Sequence, residues 1–152
     1  MTNIETISEK TYLNKFHEVF IDDEHCLPLL SEIKWANGFV CTKCGNTNYC
    51  KGKNNYSRRC TRCKKEESAT ANTIFHRCKF PLKKAFEIVL LACQVPAMSS
   101  YKISDQIELR HMTCYNFRKK ILNCRDKSDE SDFLRKLLLR INQRISYMPP
   151  NN

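Results

Sequence analysis

The chain has 152 residues, enough for one ordinary domain or two small ones. Its 26 Lys and Arg against 16 Asp and Glu leave a net charge of +10, a balance that favours polyanionic partners. The longest apolar run, about 86–98, is interrupted by Glu87, Gln94 and Pro96 and falls far short of the roughly 20 residues a bilayer requires, which argues against a membrane span. The N-terminal Met-Thr-Asn-Ile-Glu-Thr lacks a basic stretch followed by an apolar one. The expected setting is therefore reducing, cytoplasmic and nucleoid-associated, with no membrane partner.

In chain order, residues 8–20 place Tyr12, Leu13, Phe16, Val19 and Phe20 at helical spacing, with Ser8 as the expected N-cap. Asp22 and Asp23 open a second helix in which Cys26, Leu29, Leu30 and Ile33 recur at i, i+3, i+4 and i+7, with Pro28 limiting its first turn. Trp35 to Phe39 breaks the pattern with an Asn-Gly turn.

Two C-x-x-C pairs follow, Cys41/Cys44 and Cys60/Cys63, separated by fifteen residues. Each pair lets a tight turn aim two thiolates at one point, and two such turns supply four soft ligands at tetrahedral angles. That pattern predicts one structural Zn2+ with a closed coordination sphere and no position for substrate. Disulfide pairing fits poorly with a reducing setting. A redox dithiol fits poorly because it needs one C-x-x-C opening a helix, whereas these sit among turn and strand residues. Between the pairs, residues 48–51 and 56–60 read as strands joined by the turn at 52–55, and Cys50 falls inside the hairpin as a bystander thiol.

Charge concentrates in the same segment. Residues 1–40 hold three Lys against seven acids, whereas residues 41–84 hold twelve Lys or Arg against two acids. Lys51, Lys53, Arg58, Arg59, Arg62, Lys64 and Lys65 cluster around the cysteines, an electrostatic footprint for phosphate backbones. The plainer reading, basic residues kept for solubility, stays open on charge alone.

Beyond the ribbon, residues 81–93 read as an apolar core helix with Pro81 in its first turn. In 99–124, Ile103 and Ile107 mark one short helix, Cys114, Phe117 and Ile121 mark a second, and a turn lies around 109–112. Two such helices fit a helix-turn-helix whose second member offers His111, Thr113, Asn116, Lys119 and Lys120 to the major groove of double-stranded DNA, and they equally fit an ordinary helical hairpin. Cys26, Cys78, Cys93, Cys114 and Cys124 read as small core residues, and His76 with Cys78 lacks the partner pair that a second metal half-site would need. Residues 128–146 place Asp129, Glu130 and Asp132 before Arg135, Lys136, Arg140 and Arg144, as the helix dipole prefers. The stripe Leu134, Leu137, Leu138, Ile141 and Ile145 is expected to dock on the core rather than pair with another subunit.

The order of these features resembles a known family. The stretches EIKWANGFVCTKCGNTNY, RRCTRCKKEESATANTIFH, KFPLKKAFEIVLL and SSYKIS look like the N-terminal region of bacterial insertion-sequence transposases, which carry a zinc ribbon and a helix-turn-helix ahead of a DDE nuclease domain. The resemblance runs from about Asp23 to Leu122. It rests on Trp35 and Gly38, the two cysteine pairs, Asn72-Thr-Ile-Phe-His76, and Pro81-Leu82. It implies recognition of the ends of a mobile element. Thr42 stands where the family carries proline in the first knuckle, and Asn72 and Glu108 stand where it carries glycine.

After Leu122 only thirty residues remain, with acids at Asp126, Asp129, Glu130 and Asp132. Two-metal nuclease chemistry needs carboxylates from separate strands of a sizeable domain, so no strand transfer is expected of this chain alone. The expected fold is α+β, mainly α: an N-terminal helical segment (1–38), a zinc ribbon (39–73), a helix-turn-helix-like helical domain (74–125), and a C-terminal amphipathic helix with tail (126–152). The expected role is DNA binding without catalysis. Two alternatives are the DNA-binding half of a split or truncated transposase that needs a separate nuclease-domain partner, and a ribbon that binds protein; association into a homo-oligomer stays open.

Overall fold

The computed structural model describes residues 2–124 and 127–146, with the backbone alone for residues 2–10, 128 and 129. Among them are six helices and a three-stranded antiparallel sheet: α1 (Thr2–Val19), α2 (Asp23–Lys34), β1 (Tyr49–Lys51), β2 (Arg58–Cys60), β3 (Glu66–Glu67), α3 (Leu82–Gln94), α4 (Ser100–Ile107), α5 (His111–Cys124) and α6 (Ser128–Ser146). The mainly helical α+β architecture matches the expectation from sequence.

Some boundaries differ. The first helix runs straight through Ser8 and begins at Thr2, so Ser8 is not its N-cap. α2 continues through Pro28, with Cys26, Leu29, Leu30 and Ile33 buried as their spacing predicts. Its cap is Asp22, whose side chain accepts from the His25 amide at 3.3 Å. The next residue, Asp23, does a similar task for another helix. Its carboxylate accepts the Lys83 amide in the first turn of α3 at 3.0 Å, which offsets the lack of any side-chain cap from Pro81.

The core is a run of phenylalanine rings. Phe16 and Phe20 of α1 lie 5.1 Å apart, Phe20 meets Phe86 of α3 at 5.8 Å, Phe86 meets Phe75 at 5.3 Å, and Phe75 meets Phe117 of α5 at 6.0 Å. This explains the Asn72-to-His76 motif physically. Asn72 turns the chain at φ 61°, Thr73 closes the turn by donating to the Thr70 carbonyl at 2.6 Å, and Phe75 is left as a buried peg between α3 and α5. α6 lays Leu134, Leu137, Ile141 and Ile145 against the body formed with α1, α2 and α5, so its stripe docks rather than faces solvent. Asp126 and the Asp129 side chain lie outside the described residues.

α3, α4 and α5 pack on one another. The turn between the last two is residues 108–110, because α5 already starts at His111. Glu108 takes up φ 55°, ψ 54°, the left-handed conformation for which glycine is the usual choice. The Glu108 and Leu109 amides both return to the Ser104 carbonyl, and Lys84 of α3 donates to the Glu108 carbonyl at 3.0 Å. Asn72 and Glu108, the two departures from glycine, therefore both keep a glycine-like backbone.

Candidate metal centre

The two cysteine pairs sit on two knuckles of the same build. In the first, the Gly45 amide donates to the Cys41 carbonyl at 2.9 Å and the Cys41 amide to the Asn46 carbonyl at 2.8 Å. In the second, Lys64 donates to Cys60 at 3.1 Å and Cys60 to Lys65 at 2.9 Å. The residue after each second cysteine is left-handed, Gly45 at φ 77° and Lys64 at φ 68°. Glycine is unstrained there, whereas lysine carries about 1 kcal/mol of strain.

These turns bring the four sulfurs of Cys41, Cys44, Cys60 and Cys63 within 4.8 Å of one another. Cys41 Sγ lies 3.5 Å from Cys63 Sγ, and Cys44 Sγ lies 3.5 Å from Cys60 Sγ. A disulfide would hold its sulfurs at about 2.05 Å. Tetrahedral zinc with bonds of about 2.3 Å separates its sulfurs by about 3.8 Å, close to what is found. The four cysteines lie close enough to bind one zinc ion, which would cross-link the two turns. Cys50 stays outside this cluster, exposed on β1 opposite Arg59.

Backbone and side-chain donors prepare the sulfurs for charge. The Lys43 amide donates to Cys41 at 3.4 Å, and the Arg62 and Cys63 amides and the Asn46 side-chain amide each donate to Cys60 at 3.4 Å. Burial pushes the Cys60 thiol up, but these donors prevail and bring it down to about 5. Hydrogen bonding from the Cys44 amide likewise lowers Cys41. At Cys44 an Asn46 amide bond lowers the thiol, yet burial and the neighbouring sulfurs together push it up to about 11. Four thiolates this close repel one another, and a divalent cation is what lets all four ionise together. Burial, reinforced by the nearby carboxylates of Asp23 and Asp22 against the opposing charge of Lys83, raises the Cys26 thiol to about 12, so that thiol is inert packing.

Asn46 carries no motif that marks it in the sequence, yet it is part of the site. Its amide also reaches the Asn48 carbonyl and Thr61 hydroxyl, each at 3.1 Å, so one side chain ties the first knuckle to the second. Thr42, in place of proline, accepts from Lys65 Nζ at 2.9 Å across the same gap.

The basic residues lie on β1 (Lys51), on β2 (Arg58 and Arg59) and in the adjoining turns, while β3 is two glutamates; in the sheet Cys50 stands opposite Arg59 and Arg59 opposite Glu66. Glu66 on β3, a strand the sequence did not announce, accepts from the Lys53 amide and from the Ser57 hydroxyl, fastening the β1–β2 turn. A side chain at Gly52 would collide with that carboxylate. Lys51, Lys53, Arg59, Arg62, Lys64 and Lys65 are exposed, and none forms an ion pair with a carboxylate among the described residues. Arg58 is placed differently. Its guanidinium lies 4.5 Å from the Trp35 ring and 4.2 Å from the Tyr49 ring, a stacked position that fixes the ribbon on the end of α2. Next to it, Lys34 Nζ reaches Glu67 at 3.3 Å and the Ser68 and Ala71 carbonyls at 2.7 and 2.6 Å.

On α5, the expected polar residues do not share one face. Asn116 and Lys119 are exposed on the side opposite the buried Cys114, Phe117, Ile121 and Cys124. His111 and Thr113 are half-buried, and Lys120 lines a cleft with His76, Glu130 and Phe133. His76 itself is exposed and accepts the Asn72 amide at 3.3 Å, a local turn contact.

Fold and site together define a four-cysteine zinc ribbon carried on a helical body. Residues 21–66 match the transposase zinc-ribbon domain of the IS1595 type. The match takes in α2, Trp35, Gly38 and all four cysteines, and ends on β3. No curated protein and no solved structure matches the chain significantly. Among the described residues no helix is long and apolar enough to cross a membrane.

Proposed function

We propose that this protein binds double-stranded DNA at the ends of a mobile element, with the zinc ribbon gripping the phosphate backbone and α4–α5 acting as a helix-turn-helix. The observation that carries the reading is the coincidence of two features in one segment: a match to a transposase zinc ribbon, and exposed cations at Lys51, Lys53, Arg59, Arg62, Lys64 and Lys65 around its cysteines. Arg58 acts from behind, stacked on Trp35 and Tyr49, to hold that surface on the body. His111, Thr113, Asn116, Lys119 and Lys120 belong to the helix that enters the major groove, with Asn116 and Lys119 the foremost. Strand cleavage falls to a nuclease domain working with this module, because four thiolates close the zinc sphere to substrate.

Fluorescence anisotropy with labelled random duplexes tests this. Zinc-loaded protein is expected to bind with an affinity that falls steeply between about 50 and 200 mM salt, since each phosphate contact releases counterions. Charge reversal at Arg59, Arg62 and Lys64 should weaken binding and flatten the salt slope. Negligible affinity for every duplex at low salt would overturn the reading and favour a protein-binding ribbon.

A further inference from the structure

The outward face of α5 carries side chains that attraction to phosphate does not explain. Positions 112, 115, 116 and 119 are spaced i, i+3, i+4 and i+7, which lines them up along one side of the helix. They lie opposite the buried stripe of Cys114, Phe117, Ile121 and Cys124. Met112 is 59% exposed and Tyr115 44% exposed, with Asn116 and Lys119 also in solvent.

A neighbouring ring extends this surface. Tyr101 of α4, 68% exposed, lies flat on His111 at the first position of α5, with ring centroids 3.6 Å apart and an interplanar angle of 10°. His111 in turn faces Tyr115 at 6.2 Å. Three rings and a thioether thus gather at the start of a helix that contains Arg118, Lys119 and Lys120 and no Asp or Glu. An acid-free helix of this charge complements a phosphate-lined groove. Within that groove the one apolar group a base edge presents is the thymine C5-methyl, and the amide that pairs with both polar atoms of the adenine edge is that of Asn or Gln.

Building on the DNA-binding reading above, we propose that this stripe selects A·T pairs in the major groove, Met112 and Tyr115 packing on thymine methyls while Asn116 addresses adenine. Lys119, one turn further on, meets the backbone. Tyr101 is a positioning residue, holding the His111 end of the helix by stacking.

The test compares duplexes selected by the full zinc-loaded chain from a random library, each made once with thymine and once with uracil, which lacks only the methyl. The selected sites are expected to be rich in A·T pairs, and uracil substitution should weaken binding by about fourfold for each methyl contacted. In Met112→Ala and Tyr115→Ala the two duplexes should bind more nearly alike. Both side chains are exposed, so circular dichroism should show an unchanged helical signal. Equal binding of thymine and uracil duplexes by the unaltered protein would overturn the methyl reading and leave DNA binding standing. A methyl effect that persists undiminished in both variants would overturn its assignment to α5. Absence of salt-dependent binding to either duplex would overturn both this inference and the function on which it rests.

Discussion

The ribbon and the helical body are held together by different physics. The body is sealed by apolar burial: Phe16, Leu30, Ala85, Phe86, Ile88, Val89 and Ile121 are completely excluded from solvent. The ribbon has strands of three, three and two residues, an all-exposed β1, and few buried side chains, among them Phe39, Cys41, Ser57, Cys60, Glu67 and Ala69. Such a unit is far too small to be stable by the hydrophobic effect alone. What takes the place of a core is the four-sulfur cluster, together with attachments to the body through Arg58 on Trp35 and Lys34 with Glu67. The surface charge that the proposed DNA binding calls for can therefore be dense here, since a metal-held fold does not rely on apolar residues to stay folded.

The largest effect should come from Cys60→Ser. Structural zinc contributes on the order of 10 kcal/mol to such units, so the variant should lose the metal and the order of the ribbon while the body keeps its helical circular dichroism. Loss of the helical signal as well would show that the two regions do not differ as described. Phe86→Ala makes the converse cut, removing the ring between Phe20 and Phe75; about 3–5 kcal/mol of body stability should go, with zinc stoichiometry intact in the folded protein. Calorimetry with metal analysis separates the two variants.

Lys34→Met cuts the link between the regions. It leaves Glu67 buried with the Asn72 amide, at 2.6 Å, as its remaining side-chain partner among the described residues, and should cost about 3 kcal/mol in chemical denaturation. The smallest effect is one of pH. Burial in α3 pushes the Glu87 carboxyl up, and His17, at 3.2 Å, together with Lys83 and Lys84 only partly pulls it back. The folded state therefore holds this proton more tightly than the unfolded chain does. Its contribution is present in acid and is lost as pH rises from the ordinary value near 4.5 through the raised one. Glu87→Gln should remove that part of the pH slope, and an unchanged slope would mean that Glu87 is not its source.

Much of this division could be read from the sequence, because its determinants are local. The spacing of Cys26, Leu29, Leu30 and Ile33 marks the buried face of α2, and two C-x-x-C pairs mark the zinc site. What could not be read depends on groups far apart in the chain. β3 is two glutamates with no apolar alternation, and it is a strand only because β2 pairs with it. Arg58 carries the charge of a DNA contact, and only the fold puts aromatic rings on it. Asn46 is one asparagine among several until Cys60 is folded over it. On α5, selecting side chains by charge and hydrogen-bonding capacity pointed to Thr113 and Lys120 at its edges and passed over Met112 and Tyr115, whose exposure is set by how the helix packs on α3 and α4. Ser8 has the side chain of a helix cap, yet α1 continues upstream of it to Thr2, so capping chemistry alone does not mark the start of this helix.

The central claim is that zinc, held by four thiolates, stands in for the core that the ribbon lacks. X-ray absorption at the zinc edge on the purified full chain, with metal stoichiometry measured on the same sample, tests it most directly. The account predicts one zinc per chain with four sulfur neighbours at about 2.3 Å. Nitrogen or oxygen in the first coordination sphere, or a folded protein with well under one zinc per chain, would contradict it.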